Sequence, residues 1–281
     1  MSALSDEPLA YWEALNPKAN ITETPWQTPT EFEPWPVDVA QNMRVELGEE
    51  GYAVSPVSFD KAQVTPLIEI VLNVVRAGHR PAYALVYDEF YAFFSRIGQF
   101  LEQIFHARVL CVPDEFDVHY VPVSDRATGS KPHRDSIGAV NYLDSQGLPK
   151  LLNIWVPLTD ATLQNSCIYV LPANHDPEYQ NAVSGGLVHW QLDDPTIQST
   201  RAVPADAGAI LLWAPSLLHW GSRSSAKAAA PRISLACYFQ SADAEKFHPT
   251  AIPMTGSLPF HARVALIDKV CKKNSKHEKS L

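Results

Sequence analysis

The sequence predicts a mainly β fold with flanking helices, in which a sandwich or barrel of short strands is buttressed by N-terminal helices. Up to His106, apolar residues recur at helical spacing over two long stretches. After His106, short β-rich runs are separated by Pro, Gly, Asp and Asn, a pattern typical of sandwiches and barrels. The chain has 281 residues, of which 46% are hydrophobic, so it can bury a sizeable core. We therefore expect a single domain over residues 1–281.

The first part of the chain, residues 1–107, is predicted to form an arm and a helical support. A short helix near residues 9–15 precedes a proline-rich arm that ends at Pro36 and should be extended, because proline fixes φ and removes a donor. The arm is expected to pack on its own domain through its aromatic side chains, with a lid or a dimer contact as the alternative. The elements predicted next are a helix at 37–47, a strand at 52–57, a helix from its N-cap Asp60 to near Gly78, and a helix at 86–106.

The second part, residues 108–245, is predicted to form the β core. Its expected strands are 108–112, 117–123, 151–158, 167–171, 208–214, 217–222 and 232–240. Residues 246–281 form a C-terminal segment whose tail, from Lys269 onward, is rich in lysine and poor in apolar residues. Such a composition predicts a solvated, disordered end.

Composition argues against several classes of protein. The net charge of -9 argues against a general nucleic-acid binder, which needs a basic face. Four widely spaced cysteines without a Cys-x-x-Cys pair indicate reduced thiols rather than a disulfide framework. The N-terminus shows no secretory signal, and the longest apolar run, near 209–220, is too short to span a membrane. We expect a cytoplasmic protein with neither a nucleic-acid nor a membrane partner, and its oligomeric state stays open.

A candidate metal site begins with the single His-x-Asp of the chain, His133 and Asp135. Side chains two residues apart point to the same side of an extended backbone, so both groups can reach one ion. His219, on a later predicted strand, is the candidate third ligand. Two histidines and one carboxylate form a facial triad that leaves positions of an Fe(II) ion open for a co-substrate and oxygen. The alternative is that the His-x-Asp spacing is coincidental in a chain with ten histidines, and that His219 is a packed core residue.

A candidate anion site lies on the last good strand. Arg232 and Ser234 share one face of that strand, and an arginine on a face of a β core is costly unless it is paired. A planar guanidinium with a hydroxyl two residues away suits the distal end of a dicarboxylate. The alternative is an ion pair between Arg232 and an internal acid.

Around these residues the chain resembles the phytanoyl-CoA dioxygenase-like branch of the Fe(II)/2-oxoglutarate-dependent oxygenases. The resemblance is carried, in this order, by the segments 132–135, 153–160, 165–175 and 206–243, and segment 51–54 resembles the early strand of the family. Two turns depart from the usual pattern. Asn165-Ser166 stands where Asn-Gly is common, and Ala173-Asn174-His175 stands where Gly-Ser/Thr-His is common. These departures concern local turn geometry rather than the chemistry.

The resemblance implies a double-stranded β-helix, or jelly-roll, core in a single oxygenase domain. It implies that Fe(II), 2-oxoglutarate and O2 are the cofactors, with a small molecule as substrate. The residues implied for this site are the iron ligands His133, Asp135 and His219, the 2-oxoglutarate-binding residues Arg232 and Ser234, and Trp155 and Asn153 near the co-substrate.

The reaction implied is hydroxylation of an unactivated C–H bond with release of succinate and CO2. Asp135 argues against halogenation, because related halogenases carry a small residue there to make room for chloride. Desaturation, epimerisation and cyclisation with the same cofactors are alternatives. A non-catalytic jelly-roll module that binds a metabolite, and a zinc or cupin-type metalloenzyme, are alternatives from other classes.

The substrate is less clearly indicated. Arg126, Lys131 and Arg134 are candidates for holding an anionic group, and the alternative for each is a solvated charge. Arg134 is expected to point away from the metal, toward the substrate mouth or solvent. Loops at the mouth of a barrel usually carry recognition, and further candidates to line the pocket are His175, His189 and Trp190.

Overall fold

A computed structural model describes residues 7–22, 33–188, 193–253 and 258–279. Its helices are α1 (Leu9–Leu15), α2 (Val37–Glu50), α3 (Lys61–Arg76), α4 (Asp88–Phe105), α5 (Tyr179–Ser184), α6 (Asp194–Gln198) and α7 (Phe260–Lys279). Its strands are β1 (Tyr52–Val57), β2 (Val109–Val121), β3 (Leu151–Pro157), β4 (Ile168–Leu171), β5 (Arg201–Val203), β6 (Ala209–Trp213), β7 (Leu218–Gly221), β8 (Arg232–Ser241) and β9 (Ile252–Pro253). The predicted mainly β fold with N-terminal helices is confirmed.

The strands form two antiparallel sheets. The major sheet has the order β1-β6-β3-β8-β2-β9, and the minor sheet has the order β5-β4-β7. Residues 128–133 extend the minor sheet, because Thr128 bridges Arg223 and His133 bridges His219 beside β7. Counting residues 128–133 as a strand, consecutive strands from β2 to β8 alternate between the two sheets except for β4 and β5, which are neighbours in the minor sheet. This is the topology of a double-stranded β-helix. The jelly-roll core is confirmed.

The major sheet separates two apolar clusters. Its outer face packs against the helices, where α4 contributes a broad apolar face that includes Phe90, Phe94 and Ile97. Its inner face packs against the minor sheet through a smaller cluster that includes Trp155 and Trp213. Side chains alternate across a strand, so β1, β3, β6 and β8 contribute to both clusters. The polar groups described below lie on the inner face.

Two termini of the N-terminal helices, the start of α3 and the end of α2, are fixed by local capping interactions. Asp60 forms a capping box at the start of α3: its carboxylate accepts from the Gln63 amide at 2.9 Å, and the Gln63 side chain accepts from the Asp60 amide at 2.8 Å. Helix α2 continues through Gly48 and ends at Gly51, which has a φ of 77°. This left-handed backbone conformation, common just after a helix, favours glycine. The predicted start of α3 is confirmed, whereas α2 extends beyond the expected end at residue 47.

Several predicted boundaries are wrong. Residues 109–121 form the single strand β2, with a register shift between Val112 and Asp117, rather than two strands. The short strands β5 and β9 were not predicted. The tail from Lys269 was expected to be disordered, but it belongs to α7, whose Val264, Ile267 and Val270 side chains are buried. Residues 23–32 of the proline-rich arm lie outside the described residues. None of the described helices has the length and apolar character needed to cross a lipid bilayer.

Candidate active site

Two histidines are brought together by main-chain pairing. His133 donates its amide to the His219 carbonyl, and His219 donates its amide to the His133 carbonyl, both at 3.0 Å. The two imidazole rings are consequently neighbours, with centroids 4.3 Å apart. His219 lies on β7, and His133 lies on the strand-like segment beside it. The fold therefore places two residues side by side that are separated by more than eighty positions in the chain.

Asp135 completes a cluster of three groups that can bind a metal. Its Oδ1 lies 3.5 Å from His133 Nε2 and 3.7 Å from His219 Nε2. Its Oδ2 accepts hydrogen bonds from Asn153 Nδ2 at 2.8 Å and from Trp213 Nε1 at 2.9 Å. The ligand atoms of the three residues all lie within 4.8 Å of one another. One carboxylate oxygen is thus anchored by the sheet, and the other faces the two imidazoles.

Both histidines present the Nε2 atom to this cluster. His133 Nδ1 lies 2.6 Å from the Lys131 carbonyl oxygen, and His219 Nδ1 lies 3.1 Å from the Leu217 carbonyl oxygen. A carbonyl can only accept, so each Nδ1 carries the hydrogen, and each neutral ring keeps a lone pair on Nε2. Hydrogen bonds of this kind orient the histidine ligands in metal sites.

The electrostatics of the cluster keep Asp135 charged. Burial by itself raises the pKa of Asp135, but His219, His133 and the Asn153 hydrogen bond outweigh it and hold that pKa well below the usual carboxyl range. Burial lowers the pKa of His219. Burial also acts to lower the pKa of His133, but the adjacent Asp135 carboxylate raises it above the ordinary value. Two imidazoles and one ionised carboxylate form the donor set of a non-haem iron facial triad, and this site fits that ion.

Arg232 and Ser234 lie farther along the same face of the major sheet. The Arg232 side chain is buried, its Nη1 donates to the Ser166 carbonyl at 2.7 Å, and its guanidinium lies 5.5 Å from the Trp155 ring centroid. Among the described residues no carboxylate pairs with Arg232, and neither its Nε nor the Ser234 hydroxyl has a hydrogen-bond partner. Burial lowers the pKa of Arg232 to about 10. Within the described part of the chain, an internal acid is therefore not its partner, and the site fits an anionic ligand.

Comparison with known proteins agrees with this geometry. The family model described as phytanoyl-CoA dioxygenase (PhyH) matches residues 73–232, more than half of the chain. The chain belongs to the phytanoyl-CoA dioxygenase family. No match was found among curated proteins.

Solved structures similar to this PhyH-family protein share its fold at low identity. The epimerase SnoN in complex with Fe3+, alpha ketoglutarate and nogalamycin RO is 15% identical, with a TM-score of 0.57 and coverage of 80% of this chain and 96% of SnoN. EctD from S. alaskensis, solved with 2-oxoglutarate and 5-hydroxyectoine, is 14% identical, with a TM-score of 0.55 and coverage of 83% and 89%. The carbocyclase SnoK from nogalamycin biosynthesis is 16% identical, with a TM-score of 0.55 and coverage of 75% and 88%.

His119 is a neighbour of the candidate site in this family member that the sequence did not single out. On β2 it is paired with Ser234 of β8, so the two side chains share the inner face. Its side chain is 41% exposed, yet burial is the main influence that lowers its pKa, with Arg232 and His133 acting in the same direction. His119 is thus near enough to both Arg232 and His133 to feel their charge. Alternation along β2 was visible in the sequence, but its register against β8 was not.

Among the other predicted residues, Asn153 and Trp155 do share a face of β3, as their cross-strand partners on β6 show. Arg126 and Lys131 are exposed on the loop before His133. His175 is exposed as well, whereas His189 and Trp190 lie outside the described residues. The proposed roles of all these residues in binding a co-substrate or a substrate stay predictions.

Of the two orientations expected for Arg134, the one toward solvent is wrong. Its side chain does not reach solvent: it is 2% exposed and forms an ion pair with Asp176, with Nη1 and Oδ2 2.7 Å apart. A buried guanidinium requires a partner, and Asp176 supplies one from a distant part of the chain. Arg134 is thus a buried, paired residue in this PhyH-family protein.

Trp213→Phe is expected to weaken iron binding about 10- to 100-fold, the usual effect of removing a group that orients a metal ligand. The phenylalanine keeps most of the packing against His219, whose ring centroid lies 4.6 Å from that of Trp213, but removes the hydrogen bond to Asp135. An anaerobic Fe(II) titration checks this. Trp12→Phe, a change in the outer cluster, should leave the iron affinity at the wild-type value. Equal affinities for Trp213→Phe and the wild type would contradict the role given to this hydrogen bond.

Proposed function

We propose that this protein is an Fe(II)- and 2-oxoglutarate-dependent oxygenase that hydroxylates an unactivated C–H bond of a small organic molecule, with release of succinate and CO2. The observation that carries the proposal is the convergence of the His133, Asp135 and His219 ligand atoms within 4.8 Å. Arg232, a buried guanidinium without a carboxylate partner among the described residues, lies on the same side of the major sheet and supports it.

In this proposal each residue has a distinct task. His133, Asp135 and His219 would hold the iron, and Arg232 with Ser234 would bind the distal carboxylate of 2-oxoglutarate beside Trp155. Once bound, iron and 2-oxoglutarate supply the oxidising chemistry with O2, whereas the protein supplies orientation and a sheltered pocket. Asn153 and Trp213 keep one Asp135 oxygen occupied, so the other is directed to the metal. The apolar cluster between the two sheets excludes water from one side of the site.

The choice of cofactors is also supported by proteins of the same fold. SnoN was crystallised with Fe3+ and alpha ketoglutarate, and EctD with 2-oxoglutarate. The reaction outcome has a second candidate, because SnoN is an epimerase and SnoK is a carbocyclase. Mass spectrometry on a true substrate separates the outcomes. A gain of one oxygen indicates hydroxylation, a loss of two hydrogens indicates desaturation or ring closure, and an unchanged mass indicates epimerisation.

The proposal predicts a visible charge-transfer band when the anaerobic protein receives Fe(II) and 2-oxoglutarate. His219→Ala should abolish the band, because it removes one of the three ligands. His261→Ala is a matched control, since His261 is exposed on α7, and it should keep the band. Absorption spectroscopy with a parallel 2-oxoglutarate titration makes the measurement.

If the wild-type protein shows no band and binds no 2-oxoglutarate, the proposed function fails. A metabolite-binding module would need no Fe(II), and a zinc or cupin-type enzyme would act without 2-oxoglutarate. A substrate screen that monitors succinate then identifies the compound oxidised. We also propose that residues 1–281 act as one oxygenase domain, because the outer cluster joins the N-terminal helices, the major sheet and α7. A cytoplasmic location stays a prediction.

A further inference from the structure

A buried ion pair lies immediately beside the proposed metal ligands. Arg134 stands between His133 and Asp135, and its guanidinium is 2.7 Å from Asp176 Oδ2. Both side chains are 2% exposed. A buried pair of this kind is not needed to stabilise a fold, because well-packed apolar residues of similar volume often do so equally well or better. Its position therefore calls for another explanation.

The pair joins three segments that meet at the metal cluster. Arg134 Nη1 also donates to the Ser216 carbonyl at 2.5 Å, three residues before His219. The Ser136 amide donates to the Pro215 carbonyl at 3.0 Å, and the Ser216 hydroxyl donates to the Ser136 carbonyl at 3.3 Å. These contacts tie the segment that carries His133 and Asp135 to the turn that leads into His219.

The third segment is brought in by Asp176. This residue precedes α5, and α5 contacts the ligand segment again where the Gly138 amide donates to the Ala182 carbonyl at 2.7 Å. Gly138 and Gly185 also pack backbone against backbone, because a Cβ built on Gly185 would lie 3.4 Å from the Gly138 Cα. The carboxylate that neutralises Arg134 thus comes from a segment that also packs against residues just beyond Asp135.

The charge of Arg134 matters because of its location. A guanidinium is always protonated, and a positive charge near a divalent cation opposes its binding, most strongly where water is excluded. Arg134 is next to Asp135 in the chain, and its Nη1 contacts the Ser216 carbonyl three residues before His219. Without Asp176, the ligand cluster would have an uncompensated cation next to it.

We propose that Asp176 is a positioning residue for metal retention: it neutralises and holds Arg134, so that the Fe(II) site keeps both its geometry and its affinity. The inference rests on the proposed function, since it concerns the same metal site. Asp176 itself contacts Arg134 and is not one of the metal ligands. Its effect on the metal is transmitted through the guanidinium.

Asp176→Asn tests this inference, because it retains the side-chain shape and removes the negative charge. Anaerobic titration of the full-length protein with Fe(II), in competition with a chromogenic chelator, should show an affinity about 10- to 100-fold below the wild-type value. Asp88→Asn is the matched control. Asp88, the first residue of α4, pairs with buried Arg263 of α7 at 2.6 Å, so the control should lower the melting temperature but leave the Fe(II) affinity of the folded protein unchanged.

A second pair of variants separates charge from general damage. The double variant Arg134→Met/Asp176→Asn removes both charges. Its Fe(II) affinity, on a logarithmic scale, should lie at least halfway back from the Asp176→Asn value to the wild-type value. Asp176→Ser leaves room for water beside the guanidinium, and it provides the single-charge variant if Asp176→Asn does not fold. Circular dichroism of the apo proteins verifies that each variant compared is folded.

The outcomes are distinct. Three results would overturn the inference while the proposed function stands. They are a wild-type Fe(II) affinity in Asp176→Asn and Asp176→Ser, an equally large loss of affinity in Asp88→Asn, or no recovery of affinity in the double variant. A wild-type protein that binds no Fe(II) would refute the proposed function and this inference with it.

Discussion

Asp135→Asn is expected to reduce succinate formation by at least about 10³-fold, the scale on which removal of one essential catalytic group acts. The asparagine keeps the shape of the side chain, but it takes away the one negative charge among the three proposed ligands. The neighbouring imidazoles favour that charge, because they hold the pKa of Asp135 below its usual range despite burial. Bound iron, measured after desalting, should fall together with succinate formation.

Asp243→Asn provides the control for this substitution. Asp243 pairs with Lys150 at 3.1 Å and is 58% exposed, so a neutral residue there should leave iron content and turnover unchanged. Iron content and turnover in Asp135→Asn that equal those of the wild type would show that the metal is held elsewhere. A variant that loses iron but retains its melting temperature would support a functional rather than a structural role for the carboxylate.

Arg232→Met is expected to weaken 2-oxoglutarate binding from about 30-fold to several thousandfold. The range follows from the loss of about 2–5 kcal/mol when one partner of a buried charge pair is truncated, at about tenfold for each 1.4 kcal/mol. Titration of the charge-transfer band with 2-oxoglutarate measures the affinity, and Fe(II) binding should stay near the wild-type value. Arg232→Lys should recover part of the loss, since lysine keeps the charge but lacks the planar fork.

The melting temperature of apo Arg232→Met separates binding from structure. In the described part of the chain Arg232 has no carboxylate partner, so its burial costs free energy that methionine would avoid. We therefore expect the free energy of unfolding to be unchanged or higher. Clear destabilisation together with unaltered 2-oxoglutarate affinity would show that Arg232 supports the fold instead.

The order of the main elements was readable from the sequence because alternation and helical spacing are local signals. The expected strands near His219 and Arg232 are present as β7 and β8. Such signals do not predict an element whose formation depends on tertiary contacts. Helix α7 is held partly by Arg263, whose Nη1 bonds the Val86 carbonyl at 2.8 Å, and no composition count of the tail reveals that contact.

The site was readable only in part for the same reason. His133 and Asp135 are close in sequence, but the proximity of His219 depends on strand pairing that no single sequence displays. The register of the major sheet places Trp213 against Asp135 and His119 beside Ser234, and this register is not visible in the sequence. The partner of Arg134 lies 42 positions along the chain, so its burial could not be foreseen.

The position of the major sheet between two apolar clusters has a consequence for how this protein can change over evolution. The larger cluster, on the helical side, holds most of the buried aromatic side chains, whereas the smaller one lies beside the proposed chemistry. Because neighbouring positions on a strand face opposite clusters, substitutions in the pocket can alter specificity while the residues that support the fold stay unchanged. Selection for a new substrate can therefore change residues on the inner face of the major sheet, while the residues on its outer face continue to stabilise the fold.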